Sequence, residues 1–296
     1  MATALLAFDV VIWGTTPRVT AVAGEHAGPL MVTALRAAPT AVALLAVLPL
    51  LGFRLPEGRS GWAWTAVSGL LMVTVFLGGL TEAVLRAGPG TAIVLASTSP
   101  FFVALLERVV FGRRIAPGVL GGLVLGFGGV VLVVSSQLGA TRDAADVFAG
   151  CMFALAGALG WAIGTLVVTE QIARRSDTDL AGLTTGQYLV GGVALLALAV
   201  GIEGTGDADW PSGELWLAVA FLSIVGSGIA TLAYFGALRT ITPTRATAWL
   251  FLSPVVAVVL EAILGELPEA LVLLGMVITI VGVAIVNAVP LAAEER

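Results

Sequence analysis

Charge is scarce in this chain, and a few charged residues stand where charge is costly. Arg36, Arg18, Asp9 and Glu82 fall inside runs of Ala, Val, Leu and Gly long enough to be immersed in lipid. A charge at the centre of such a helix costs at least about 2.5 kcal/mol on insertion scales, so each needs a reason to be there. Arg36 lies about eight residues into its run, roughly 12 Å deep at 1.5 Å per residue, a long reach for its head group to regain water. A guanidinium at that depth can hold a carboxylate or phosphate through two parallel hydrogen bonds, with Arg18 of the preceding run at similar depth. The competing reading is an internal ion pair, with Asp9 or Glu82 as partner. Asp9 and Glu82 are in turn candidates for carrying a coupling proton, although for Asp9 the reading to be preferred is a simple pair with an inner-loop Arg.

Around these charges stand polar and aromatic groups at membrane depth. Trp13 and Trp161 are mid-run, and Trp249 sits six residues into its own run, so none belongs to an interfacial belt. They either stack on a substrate ring or fill gaps beside small residues. Tyr234 and Gln187 offer polar handles, and Ser97 and Ser99 add hydroxyls on either side of Thr98. Pro100 and Pro254 each follow a serine at the centre of an apolar run. There a proline removes a backbone donor and frees the carbonyl a turn earlier, that of Ala96 or Leu250. In hydrocarbon such breaks belong beside protein or a polar cavity, although a kink that only shapes packing gives the same pattern.

Enzymatic chemistry finds no footing. Gly204-Thr205-Gly206-Asp207 spells the Gly-x-Gly-Asp of intramembrane aspartyl proteases, but Asp207 stands in a polar loop with other acids and without a second buried aspartate beside it. No His-Glu-x-x-His, Gly-x-Ser-x-Gly or nucleotide-binding loop occurs, so neither hydrolysis nor ATP drive is expected. One cysteine, Cys151, and one histidine, His26, leave no basis for a disulfide or a His/Cys metal site, and no cofactor is expected. All the basic residues are arginines and form no tract that would follow a nucleic acid backbone.

These groups must be positioned by helices in lipid. Over 296 residues, 58% are hydrophobic and 11% charged, and the mean hydropathy is +1.06. A soluble domain carries about a quarter charged residues. At about 20 residues per crossing plus short turns, the length holds about ten spans and no extramembrane domain. They are expected at 3–23, 29–51, 61–84, 89–110, 117–136, 147–170, 180–202, 214–238, 243–264 and 268–290. Trp62, Trp64, Trp210 and Trp216 fall at span entrances, as an interfacial belt requires. The expected fold class is an all-α membrane protein, and the apolar N-terminus reads as a retained first span.

Arginine placement gives the orientation. With the N-terminus in the cytoplasm, Arg54, Arg59, Arg108, Arg113, Arg114, Arg174, Arg175, Arg239, Arg245 and Arg296 lie on the cytoplasmic side, and only Arg86 and Arg142 on the other. Both termini are therefore expected in the cytoplasm, with the chain multi-pass in the inner cell membrane.

The chain also repeats itself. Ser99-Pro100 with Glu107 recurs 154 positions later as Ser253-Pro254 with Glu261, and Val42-Ala43-Leu44-Leu45-Ala46 recurs as Val193-Ala194-Leu195-Leu196-Ala197. In this alignment Arg36 falls opposite Gln187. The repeated acids near helix ends suggest a scaffold role, such as Glu107 pairing with Arg113. Gly118, Gly122 and Gly126 form a small-residue face suited to close packing, as at a seam between halves. Two units of five spans, 1–140 and 141–296, must cross the membrane in opposite senses because five is odd, and such inverted repeats recur in carriers with a midplane site.

With Trp13-Gly14 in the first span, an Arg in the second and the Pro254 to Gly265-Glu266 pattern near the end, the chain resembles the EamA-type transporters of the drug/metabolite transporter superfamily. The first half carries Gly112-Arg113 where the second carries Gly265-Glu266. The resemblance implies a ten-helix permease that moves small metabolites, commonly outward, with both termini inside. The expected function is alternating-access, gradient-driven export of a small amphipathic metabolite, with amino acids the leading class. A multidrug or other metabolite carrier is the alternative, and a non-transporting scaffold the alternative of another kind. The expected partners are the small-molecule substrate, the lipid bilayer and protons, with the protein a monomer or homodimer and no nucleic acid involved.

Overall fold

Apolar runs bounded by proline, glycine and charge become helices, since only a helix satisfies its own backbone in lipid. The computed structural model describes residues 1–135, 143–174, 179–263 and 268–290, and among these no strand occurs. The helices are α1 (Ala2–Gly24), α2 (Pro29–Leu51), α3 (Gly58–Ala87), α4 (Pro89–Phe111), α5 (Pro117–Val133), α6 (Ala144–Arg174), α7 (Leu180–Glu203), α8 (Gly213–Leu238), α9 (helical from Pro243 to Ile263) and α10 (Ala270–Ala288). All ten expected spans are present. Among the described residues nine are long and apolar enough to cross a membrane, and α5, at 17 residues, is slightly shorter. Arg142, Arg175, Gly265, Glu266 and Arg296 lie outside the described residues, as does the side chain of Glu261.

Local chemistry sets the helix ends. Prolines open α4, α5 and α9 within their first positions, where the missing N–H costs nothing. Asp179 caps α7 by accepting from the Gly182 N–H, and Ser212 caps α8 by accepting from that of Leu215. Gly112 ends α4 at φ +66°, a conformation that a residue with Cβ adopts only with strain.

Three helices change pitch midway. α3 is π-helical over Leu70–Leu77, α8 over Phe221–Ile229, and the end of α7 over Ala199–Glu203. The two proline-bearing helices also break near the prolines. α4 turns at Ser97 and Thr98 before restarting at Ser99, and α9 narrows to a 3-10 turn over Trp249–Leu252 before restarting at Ser253. α3, α4, α8 and α9 thus carry irregular backbone within their length, and α7 at its end.

Helices approach closely wherever a side chain is missing. The Gly face of α5 packs on α10: a Cβ on Gly122 would stand 2.9 Å from the Gly282 carbonyl, and one on Gly129 2.7 Å from that of Gly275. The expected small-residue seam thus joins the first half of the chain to the second. The contacts run antiparallel, with Gly118 beside Val289 and Gly129 beside Thr279, so α5 begins on the side where α10 ends. Elsewhere α6 seats Gly150, Gly157, Gly160 and Gly164 against α3, and Gly69 lies against the Gln187 backbone of α7. Gly128 and Gly129 allow a test, because the first faces open space and the second the α10 backbone. Gly129→Val should lower the stability of the detergent-solubilised protein by about 1–3 kcal/mol, whereas Gly128→Val leaves its melting temperature unchanged.

Candidate functional site

Where the irregular stretches face one another, the helices leave a central cavity. α1 contributes Trp13, Thr16 and Pro17, and α2 contributes Arg36; α3 gives Met72 and Phe76, α4 gives Ser97 and Ser99, and α6 gives Trp161. Gln187 and Tyr188 come from α7, Gly226 and Thr231 from α8, and Leu250 and Ser253 from α9. The space open to a water-sized sphere is only about 80 Å³, room for a few waters. The walls are mostly apolar, with a few polar groups converging, which is the usual composition of a small-molecule site.

Arg36 is the dominant polar group there. Only 4% exposed, it donates from Nε to Ser227 Oγ at 2.7 Å and from Nη2 to the Gly226 carbonyl at 3.1 Å. Neither Asp9 nor Glu82 pairs with it, and among the described residues no carboxylate lies within salt-bridge distance of it. Its positive charge is held by a hydroxyl and a carbonyl, with the rest of the guanidinium uncommitted to an anion. The π stretch of α8 makes this possible, since a widened turn opens carbonyls to lateral donors. Gly226 O accepts from Trp13 Nε1 at 2.9 Å as well, and Ser223 O accepts from Thr40 Oγ1.

An aromatic box stands beside the guanidinium. Trp13 meets Trp161 edge to face at 5.2 Å, Phe76 lies 4.6 Å from Trp161, and Tyr234 closes the box at 5.0 Å from Trp161 and 5.6 Å from Trp13. Tyr234 is fully buried behind the two indoles, its hydroxyl within 3.4 Å of Thr165 Oγ1. Gln187 reaches Ser68 Oγ at 2.8 Å, and Tyr188 pairs with Thr231 at 3.1 Å. The Ser97 hydroxyl turns back to the Ile93 carbonyl, whereas Ser99 Oγ is buried on the cavity wall with no partner.

Other sequence candidates sit elsewhere. Arg18 is exposed and takes no part in the cavity wall. Trp249 faces α10, its indole N–H donating to Asn287 Oδ1 at 3.3 Å. Glu82 pairs with Arg86 one turn along α3 at 2.6 Å, and Arg86 bridges onward to Asp146 of α6 at 2.9 Å. Its carboxylate is thus engaged as a structural brace. Glu107 pairs with Arg113 at 2.8 Å, as its position suggested, and also accepts from Thr244. Pro100 and Pro254 restart their helices next to the cavity-lining Ser99 and Ser253. Asp9 is fully buried in α1, and neither carboxylate oxygen has a hydrogen-bond partner. The pair with a nearby arginine is not formed. Asp9 stands one turn before Trp13.

Sequence reasoning passed over Met72, Phe76, Thr231 and the Gly226-Ser227-Gly228 triplet. Only the triplet carried a signal, as three small residues in the middle of a span. It also passed over a set of polar contacts at the end of the bundle away from the termini. There Glu203 accepts from the backbone N–H groups of Leu30 and Met31 at 2.9 and 2.8 Å, an anion at the N-terminus of α2. His26 sits between Asp209 and Glu214, 3.3 Å from each, and its carbonyl accepts from the Asp209 N–H. The termini-bearing end is different, since a cleft of about 830 Å³ opens there between α3, α4, α6 and α7.

Fold and site together define a polytopic α-helical membrane protein with a small, cation-lined central cavity. The EamA-like transporter family model matches residues 1–135 and 148–288, so the chain belongs to that family. It is 31% identical over 258 residues to YedA of Escherichia coli K12, named an uncharacterized inner membrane transporter, covering 86% of this chain and 80% of that one. A chloroplastic WAT1-related protein of Arabidopsis thaliana is 29% identical over 93% of this chain, which spans 66% of that protein's length. Protein PecM of Dickeya dadantii is 28% identical over 84% of this chain and 79% of its own. One solved crystal structure shares the fold at TM-score 0.77 and 21% identity, covering 96% of this chain and 95% of that one. The chain is thus a multi-pass membrane transporter by family.

Asp9 makes a prediction independent of transport. An unpartnered buried carboxylate is a liability to folding, so Asp9→Asn should leave the melting temperature unchanged or raise it, and a fall of several degrees would reveal a partner for the carboxylate.

Proposed function

We propose that this protein is an alternating-access secondary carrier for small amphipathic metabolites bearing a carboxylate, with amino acids the leading class. The carrying observation is Arg36, a buried cation on the wall of a central cavity with no acid among the described residues to neutralise it. A substrate carboxylate completes that site, accepting from the guanidinium N–H groups that Ser227 and Gly226 leave unused. The aromatic box takes an apolar or aromatic body alongside, and Ser99 Oγ offers a further hydrogen bond. Nothing on the cavity wall is an acid that would favour a cationic drug.

The carrier works as two inverted five-helix units, 1–140 and 141–296. Supporting this are the recurring Ser-Pro pairs, the π stretches at matching places in α3 and α8, and the glycine seam between α5 and α10. The protein lies in the cytoplasmic membrane with both termini inside, as the arginine distribution favours. On that orientation the state described is closed outside and cleft inside, which suits loading from the cytoplasm and export. Asp9 carries the coupling proton, because a carboxyl buried without a partner can be held neutral and discharged when the bundle rearranges.

Counterflow into liposomes with purified protein, run with amino acids, cationic drugs and sugars at two pH values, tests the reading. Amino acids should exchange while sugars and cationic drugs do not. Arg36→Ala should lose about tenfold or more of that flux, the value of one charged contact, while the protein still folds; Arg36→Lys retains part of it. Asp9→Asn should keep counterflow and lose the response to a pH gradient. Absence of exchange for every carboxylate-bearing compound would remove the carrier reading.

A further inference from the structure

The single histidine of the chain, His26, stands at the end of the bundle away from the termini, in the turn between α1 and α2. Both nitrogens of its ring are engaged. Nδ1 lies 3.3 Å from Asp209 Oδ2 in the α7–α8 loop, and Nε2 lies 3.3 Å from Glu214 Oε2 in the first turn of α8. The Asp209 N–H, donating to the His26 carbonyl at 2.8 Å, sets the loop in register with the ring. A neutral imidazole has one N–H and one lone pair, so one of the two ring contacts would set a lone pair against a carboxylate oxygen. Only the imidazolium donates at both. At 18% exposure the side chain is open to protons from water.

The charges around the ring are acids or are engaged with one another. Glu25 adjoins it in the turn, Asp207 shares the α7–α8 loop with Asp209, and Glu203 at the end of α7 accepts from the N–H groups of Leu30 and Met31. From α3, whose Leu85 packs on Gly24, come Glu82 and Arg86, which pair with each other and, through Arg86, with Asp146. Ala23, Ala27 and Met31 share one core cluster with Leu215, Val219 and Leu222 of α8. Val73 and Leu77 of that cluster also line the central cavity, so this packing lies between the cavity and the end that His26 ties.

We propose that His26 is a pH-operated latch: protonated, it holds the α1–α2 turn to the α7–α8 loop and the start of α8; deprotonated, it lets that end of the bundle part. Without the proton, Asp209, Glu214 and their acidic neighbours share no cation, and like charges repel. Histidine changes charge between about pH 5 and 8. The tied form is the one that holds the proton, so it is favoured in acid and lost as the pH rises. The latch stands on these contacts alone. That this end faces the outside, so that an acid medium holds the carrier shut there, rests on the carrier reading above.

The distance between two spin labels tests the latch without transport. Val22→Cys and Gly213→Cys, in a Cys151→Ser background, put one label on each side of the tie, the first at an exposed position and the second where a Cβ meets open space. In liposomes a short distance at about pH 5.5 should give way to a longer one at about pH 8. The ratio of parted to tied molecules should rise about tenfold, the worth of two exposed ion pairs. His26→Gln should give the same distribution at both pH values. His26→Arg, a cation throughout, should keep the short distance at the higher pH. Asp209→Asn with Glu214→Gln should remove the pH response with the histidine still in place. A wild-type distribution indifferent to pH, or a change that survives His26→Gln, would overturn the latch. Counterflow that fails for every substrate while the distances still respond to pH would remove the carrier reading and leave the latch standing.

Discussion

The Gly226 carbonyl holds the centre of this molecule together. It lies in the π stretch of α8 and accepts from Trp13 of α1 and from Arg36 of α2, so three helices meet on one oxygen. In water such a contact would exchange with solvent and matter little. In hydrocarbon the alternative for each donor is no partner at all, which makes the shared acceptor a strong constraint on how α1, α2 and α8 sit. Gly226 has no side chain, and a Cβ there would crowd Thr16 at 3.0 Å and come into contact with the Arg36 guanidinium at 3.7 Å. The aromatic box depends on the same contact, because the Trp13 indole that reaches Gly226 also presents its ring to Trp161 and Tyr234.

The two ends of the bundle are held by different means. The far end is tied by charge against backbone, with Glu203 on the N-terminus of α2 and a histidine between two acids. The near end gapes because α3 and α4 share α6 without sharing a surface. Hydrogen bonds and ion pairs of this kind are directional and can be broken and remade, whereas the glycine seam of α5 and α10 is a packed surface with backbone against backbone. On the proposed reading the seam is the fixed part and the polar tie the part that yields, as a carrier with one central site requires.

Much of this architecture was legible in the sequence. Spans, the small-residue seam, the Glu107–Arg113 pair, the helix breaks before Pro100 and Pro254, and the burial of Arg36 and Asp9 all follow from hydropathy, spacing and the cost of burying charge. What was not legible is which way side chains point around a helix. Arg18 and Arg36 read alike by depth, yet one is exposed and the other buried, because rotation about the helix axis is set by neighbours that a single run does not name. Trp249 read like Trp13 by position and turned to Asn287 instead. The π stretches left no trace at all, since Leu70–Leu77 and Phe221–Ile229 are ordinary apolar sequence and the change of pitch comes from packing and from the carbonyls it exposes.

Arg36 and Asp9 have opposite charges, both are buried, and neither is paired with the other. A bundle built only to be stable would bring them together or replace both with Leu, since a well-packed apolar pair is usually no less stable than a buried ion pair. Here Arg36 is turned to Ser227 and Gly226, and Asp9 stands a turn from Trp13 with no partner of its own. On the proposed reading that separation is what a coupled carrier needs. A substrate carboxylate neutralises the cation on the way out and a proton neutralises the acid on the return, so each charge is relieved by its own cargo in its own half of the cycle. An arginine already satisfied by an aspartate would have no such dependence, and its cavity would have no means of distinguishing loaded from empty.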